Sequence, residues 1–282
     1  MRPLDVLYAD VDGTLLGPGG SLFADAGGRP TGRGARAVAA LHEAGVRLVL
    51  VSGRTRARLG EVARVLGASA YVAELGALLV EGTDPRATVV PCFGSYRGPG
   101  SPFEAIARSG AAALLLERFR GRLELHSPWS AEPREATVLL RGLVDPEEAK
   151  ELLERAGLGW LELRDNGPVR RPLPHLDLPE VRAYHLVPRG VGKAAAVRLH
   201  LERHGIDPGR AAAVGDGPAD LEVGEVVGTV VLVGVPREAA DARPRGTDRR
   251  IVAVEEPGPE GFARAVEALL GGTAEGPPRT GR

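Results

Sequence analysis

The chain of 282 residues has one cysteine, Cys92, one methionine at its start, one asparagine, Asn166, and no glutamine. A lone thiol excludes an internal disulfide framework and fits a reducing compartment. No run of about 18 apolar residues is present, which argues against a spanning helix. Acidic residues arrive too early in the N-terminal segment for a signal peptide. These absences predict a cytoplasmic protein. Charge of one sign is missing too: the formal net charge is −1, so no overall footprint for nucleic acid or a membrane surface is expected. Lysine is almost absent, with only Lys150 and Lys193 among 36 basic residues. Scarce amide and sulfur side chains fit a heat-adapted source, and a GC-rich genome would give the same bias.

What is present is a soluble globular composition, 43% hydrophobic and 26% charged, long enough for one large domain or two smaller ones. The apolar run Asp5–Ala9 reads as a strand that ends abruptly in Asp10-Val-Asp12-Gly-Thr14. Residues 17–34 are glycine-rich and read as a loop. Helical spacing over 34–44 stops at Gly45, and 46–51 is a buried strand ending in Ser52-Gly53-Arg54. A helix over 55–66, a strand over 71–74 and a hairpin near 78–82 follow. This alternation predicts a doubly wound α/β sheet.

Composition changes between 83 and 183. Pro/Gly-rich edges enclose a helix over 103–119, strands over 122–127, 136–142, 159–164 and 181–187, and a helix over 145–156 capped by Asp145 with Pro146 at its first position. This segment reads as an inserted α+β domain on hinges. The α/β rhythm then resumes with helix 192–204, strand 211–215, helix 218–226, strand 229–233 and helix 259–270. Residues 272–282 are expected to be a disordered tail.

Polar clusters stand at four strand or helix ends: Asp10-x-Asp12, Ser52-Gly53-Arg54, Lys193, and Gly-Asp216-Gly-x-x-Asp220. Phosphoryl transfer needs an oxyanion nucleophile, a proton donor, a hard divalent cation and donors around the phosphate oxygens. Asp10 and Asp216 offer carboxylates to Mg²⁺, Ser52 and the backbone after it offer phosphate donors at a helix start, and Lys193 offers a compact positive charge. A lysine at this position in a chain that otherwise uses arginine points to a chemical requirement.

The four clusters, in this order, resemble the motifs of the haloacid dehalogenase superfamily. The wide insertion resembles that of its C2-cap members, the Cof-like and sugar-phosphate phosphatase branch. The resemblance covers about 1–82 and 184–271 and implies a Rossmann-like core with the inserted 83–183 segment as an α+β cap. It implies that Asp10 is the nucleophile forming an aspartyl-phosphate and that Asp12 is the general acid and later the base. It further implies that Ser52, Gly53 and Lys193 hold phosphate. Magnesium would be held by Asp10, Asp216 and the main-chain carbonyl of Asp12, with Asp220 supporting the metal or orienting Lys193. Arg54 is a candidate substrate contact whose alternative is a salt bridge. The paired Asp-x-Asp form belongs to that superfamily's phosphatases and phosphomutases, so the implied activity is Mg²⁺-dependent hydrolysis of a small phosphate ester, such as a sugar phosphate or a mannosyl-3-phosphoglycerate-like ester. A phosphomutase, a receiver-type phospho-acceptor and a non-catalytic phospho-ligand-binding module stay open as alternatives. Two departures stand out: Ala219 replaces a frequent asparagine, and Leu75-Gly76-Ala77 replaces Asn-Gly-Ala.

Other patterns carry less. Gly32-x-Gly34 follows no strand, and Gly190-Val-Gly192-Lys193 lacks the first glycine and the Ser/Thr of a P-loop. His200 and His204 share a helix face but have no third ligand nearby in sequence. Cys92 sits without a paired histidine. Arg141, Arg164, Arg170, Arg171, Arg182 and His185 of the insertion are candidates for gripping an anionic or sugar substrate.

Overall fold

The computed structural model describes residues 3–169, 173, 175–236 and 249–271. Arg170, Arg171 and the segment 272–282 lie outside the described residues. The core is an eight-stranded sheet in the order β12-β11-β10-β1-β2-β3-β4-β5. Its strands are β1 (Val6–Asp10), β2 (Arg47–Val51), β3 (Ala70–Ala73), β4 (Leu78–Glu81), β5 (Thr88–Pro91), β10 (Ala211–Gly215), β11 (Thr229–Val233) and β12 (Arg250–Val254). The six from β12 to β3 run parallel, and β4 and β5 add an antiparallel edge. Every residue of β1 is buried, as expected of a central parallel strand covered on both faces.

Helices cover both sides. One face packs α1 (Arg33–Glu43), α2 (Arg56–Val65) and α8 (Gly258–Leu270) through Ala37, Leu41, Leu59 and Phe262. The other packs α6 (Lys193–His204) and α7 (Pro218–Val223) through Val197, Leu201 and Val223. This is the doubly wound architecture that the alternation of elements predicts.

The inserted unit has a separate core and an antiparallel sheet in the order β6-β7-β9-β8, from β6 (Leu123–Leu125), β7 (Val138–Gly142), β8 (Leu161–Pro168) and β9 (Arg182–Pro188). Helices α3 (Pro102–Ser109), α4 (Ala111–Arg118) and α5 (Pro146–Arg155) pack on it, burying Ile106, Leu115, Phe119, Ala149 and Leu153. Asp145 caps α5 by accepting from the Glu147 N–H at 2.9 Å, with Pro146 behind it.

Five elements differ from the sequence reading. The helix over 103–119 is two helices, because Gly110 takes a left-handed conformation at φ 73° between them. β5 continues the large sheet beyond residue 82, and β12 adds a strand that the sequence reading left out. β8 runs through Pro168, past the strand end expected at 164. Glu74, expected at the end of a strand, instead begins a one-turn 3₁₀ segment.

Candidate active site

The strand order explains how distant motifs meet. Asp10 is the last residue of β1 and lies opposite Val51 of β2, so Ser52 follows beside it. On the other flank Ala9 is opposite Val214, which brings Gly215 and Asp216 to the same sheet edge. Connections leave β1 in opposite directions here, the switch point where open α/β sheets bind ligands. Helix α6 begins with Lys193 and supplies the fourth group.

Asp10 is only 7% exposed and Lys193 only 2%. The Lys193 ammonium donates to Asp10 Oδ1 at 2.6 Å and to Asp220 Oδ1 at 2.8 Å. Asp220 Oδ2 also accepts the Gly217 N–H at 3.1 Å. Asp220 therefore fixes Lys193 and the turn that carries Asp216. Carboxylate oxygens of Asp10, Asp216 and Asp220 all lie within 4.8 Å of one another.

Burial disfavours the Lys193 ammonium, but the carboxylates of Asp10 and Asp220 outweigh it and hold its pKa above the ordinary lysine range. Burial pushes Asp10 well above the usual carboxylate range; Lys193 opposes this, and Asp220 and Asp216 add to it. A hard divalent cation fits this all-oxygen donor set.

Asp12 points elsewhere. Its side chain is 59% exposed, and Arg54 holds both its oxygens, Nε to Oδ2 at 2.7 Å and Nη2 to Oδ1 at 2.5 Å. The alternative of a salt bridge for Arg54 is thus what the structure contains. Ser52 is buried, and its Oγ accepts the Arg54 N–H at 3.2 Å. Gly53 has no room for a side chain: a Cβ there would come within 2.6 Å of His185 Nε2 and 2.9 Å of Asn166 Nδ2. The inserted unit presses on the backbone at this glycine.

A cavity of about 720 Å³ opens between the two units and is lined by Asp10, Asp12, Ser52, Lys193 and Asp216 from the core and by Arg134 and His185 from the insertion, among others. Among the described residues, His185 is the one member of the insertion's candidate substrate residues that lines it. Burial, then the nearby charges of Arg134, His126 and Lys193, hold its imidazole well below the ordinary histidine pKa. Arg141 pairs with Glu124, Arg164 with Glu222, and Arg182 with Asp165. Leu75 is fully buried, so the departure from Asn-Gly-Ala removes a polar side chain from a covered position.

The His200–His204 pair holds no metal cluster among the described residues. His200 Nδ1 lies 2.7 Å from the Tyr8 hydroxyl and His204 Nε2 lies 3.0 Å from Glu81. Cys92 is half-buried with its thiol toward the Val90 carbonyl.

Two residues escaped the sequence reading. Arg134 is buried against the Gly53 carbonyl, and nothing distinguishes it in an arginine-rich sequence. Glu74 is 1% exposed and accepts from the backbone N–H groups of Glu135, Ala136 and Thr137 and from the Thr137 hydroxyl at 2.8–3.1 Å. Glu74 and Leu75 both have positive φ, 49° and 61°. Strain of this kind persists where surrounding contacts enforce it.

No family model matches the sequence. The chain is 29% identical over 234 residues to a phosphoglycolate phosphatase of Methanoculleus marisnigri, covering 82% of this chain and 84% of that protein. Its structure resembles the sucrose-phosphatase of Synechocystis sp. PCC6803 with a TM-score of 0.62 at 14% identity, over 96% of this chain and 99% of that one. It also resembles a Bacteroides thetaiotaomicron protein from a study of phosphatases of the haloalkanoate (HAD) enzyme superfamily, with a TM-score of 0.58 at 17% identity over 95% and 96% of the two chains. At these identities the structural likeness shows the shared fold. The curated relatives are named phosphoglycolate phosphatases, so the chain is similar in sequence to phosphatases and in fold to proteins of the haloacid dehalogenase superfamily.

Proposed function

We propose that the chain is a Mg²⁺-dependent phosphomonoesterase that acts on a small phosphorylated metabolite of the cytoplasm through an aspartyl-phosphate on Asp10. A sugar phosphate, a mannosyl-3-phosphoglycerate-like ester and phosphoglycolate are the candidate substrates, the last also named for the curated relative. The observation that carries this reading is Asp10 itself: a buried carboxylate at the central strand end, tied to Lys193, in the cavity that Asp12 also lines.

Asp10 attacks phosphorus in line with the leaving oxygen, and the bond from phosphorus to that oxygen breaks. Asp12 gives its proton to the departing alcohol. Water then attacks the phosphorus of phospho-Asp10, Asp12 takes the proton, and inorganic phosphate leaves with Asp10 regenerated. Lys193, Ser52 and the Gly53 backbone hold the phosphate oxygens through both steps. Mg²⁺ held by Asp10, Asp216 and the Asp12 carbonyl supplies neutralisation of charge on the transferring group when bound. The inserted unit (83–183) serves as a cap that shields the first step from water.

The test is hydrolysis of p-nitrophenyl phosphate with Mg²⁺. Activity in the native chain and its loss in Asp10→Asn support the reading, and retained activity in Asp10→Asn overturns it.

A further inference from the structure

Three consecutive main-chain carbonyls follow β2 at the switch point of the sheet, and each is held from outside its own loop. The Ser52 carbonyl accepts the Leu75 N–H at 3.0 Å, and the Arg54 carbonyl accepts the Glu74 N–H at 2.9 Å. The Gly53 carbonyl between them accepts from the Arg134 guanidinium of the inserted unit at 3.3 Å. A peptide unit is planar and trans, so its N–H points opposite its C=O. Anchoring these carbonyls therefore aims the N–H groups of Gly53, Arg54 and Thr55.

The anchors converge on one side chain. Glu74 gives its own N–H to Arg54, and its buried carboxylate accepts from the Thr137 hydroxyl at 3.0 Å. That hydroxyl oxygen in turn accepts, at 3.1 Å, from the Arg134 nitrogen that reaches Gly53. The Glu74 carboxylate also accepts the N–H groups of Glu135, Ala136 and Thr137. Contacts running from Glu74 through Thr137 and Arg134 to Gly53 thus close a ring around residues 52–54, part core and part insertion.

The same turn seats Lys193. Gly76, at φ 112°, lies so close to the start of α6 that a Cβ there would come within 2.2 Å of the Gly192 carbonyl oxygen and 2.9 Å of the Lys193 nitrogen. Glu74 and Leu75 hold a positive φ that non-glycine residues keep only where contacts enforce it. The four hydrogen bonds to the Glu74 carboxylate are among those contacts. A carboxylate that only braced the two units could sit anywhere along their seam. This one sits on the turn that touches both the 52–54 backbone and the start of α6.

We infer that Glu74 is a positioning residue for phosphoryl transfer. Its carboxylate couples the seat of the inserted unit to the aim of the Gly53 and Arg54 N–H groups and to the place of Lys193. This rests on the phosphomonoesterase reading, in which the Gly53 backbone and Lys193 hold the phosphate. Glu74 acts at one remove, through Thr137, Arg134 and its own turn.

The experiment measures KM for p-nitrophenyl phosphate and the competitive inhibition constant Ki of inorganic phosphate, with Mg²⁺, in the native chain and its variants. Neither constant depends on how much of a preparation is folded, so a loss of stability alone leaves both where they were. Glu74→Ala is expected to raise the phosphate Ki about tenfold, the low end of what one hydrogen bond to a charged group contributes, and KM with it. Glu74→Gln keeps an acceptor for the Ala136 and Thr137 donors and is expected to give a rise of about threefold. Thr137→Val removes the hydroxyl that joins Glu74 to Arg134. It is expected to give a rise like that of Glu74→Gln and to add nothing in the Glu74→Ala background. Unchanged Ki and KM in Glu74→Ala, beside a lowered thermal midpoint, overturn the inference and leave Glu74 a structural brace. Should Glu74→Ala fail to fold, unchanged constants in Glu74→Gln and Thr137→Val overturn it equally. An active native chain whose constants none of the substitutions move defeats only the Glu74 assignment. A native chain inactive on p-nitrophenyl phosphate defeats the phosphomonoesterase reading beneath it.

Discussion

Glu74→Ala is the substitution with the largest consequence predicted outside the Asp10–Lys193–Asp220 cluster. Glu74 leaves the end of β3 in the core, yet all four hydrogen bonds to its carboxylate come from residues 135–137 of the inserted unit. Hydrogen bonds to a charged acceptor contribute about 1.5–3 kcal/mol each, and they are not additive. Truncation to alanine orphans three backbone N–H groups and a hydroxyl in a dry contact. The loss is limited, because the 135–137 strip can hydrate by lifting off the core. We expect a destabilisation of roughly 3–4 kcal/mol by urea unfolding, the upper range for a single substitution. Glu74→Gln keeps an acceptor for the Ala136 and Thr137 donors but turns its amide toward the Glu135 N–H, so about half that loss is expected. Amide hydrogen exchange should localise the effect: the 135–137 amides lose protection first in Glu74→Ala, ahead of the β1 and β10 amides. A loss under about 1 kcal/mol, with protection at 135–137 unchanged, would refute the clamp.

Further consequences follow from other contacts. Lys193→Met should lower kcat/KM by at least about 100-fold, the size of one lost donor to developing charge, in a steady-state phosphatase assay; Lys193→Arg should restore little, since a planar fork cannot sit between Asp10 and Asp220 as an ammonium does. Mg²⁺ should raise the thermal midpoint of the native chain by linkage, and Asp216→Asn should weaken that shift in a calorimetric scan. His200 is held neutral, its pKa pushed down to about 4 by burial, with His204 and Arg47 adding to the effect. A base with a folded pKa below its unfolded one stabilises the fold fully above about pH 6.5 and loses that contribution as pH falls toward 4. Stability should therefore drop by up to about 2 kcal/mol between pH 7.5 and 5 in urea titrations, and His200→Gln should flatten that slope.

The central half of the fold was readable because its strands are buried on both faces and end in polar motifs. The strand ending at Asp10 and that ending at Gly215 are uninterrupted apolar runs with a sharp stop. Lys193 stood out as one of only two lysines, placed where the motif order needs one. β12 was not legible, since Ile251–Val254 is short and follows a polar stretch with no helix pattern before it. β5 was not legible either: Thr88–Pro91 is an exposed edge strand, where hydrophobic alternation fades. The break at Gly110 hides inside a continuous apolar pattern. Arg134 and Glu74 are invisible to sequence reasoning for a deeper reason. Their roles depend on contacts between the core and the insertion, and no local spacing encodes which of many charged residues will face that seam.

The central claim is that Asp10 carries the phosphoryl group. Acid quench of a single turnover with ³²P-labelled ester, followed by proteolysis and mass spectrometry, tests it most directly. The account predicts transient label on the peptide containing Asp10, labile to hydroxylamine and absent in Asp10→Asn. Release of phosphate at the native rate with no label on that peptide at any time would contradict it.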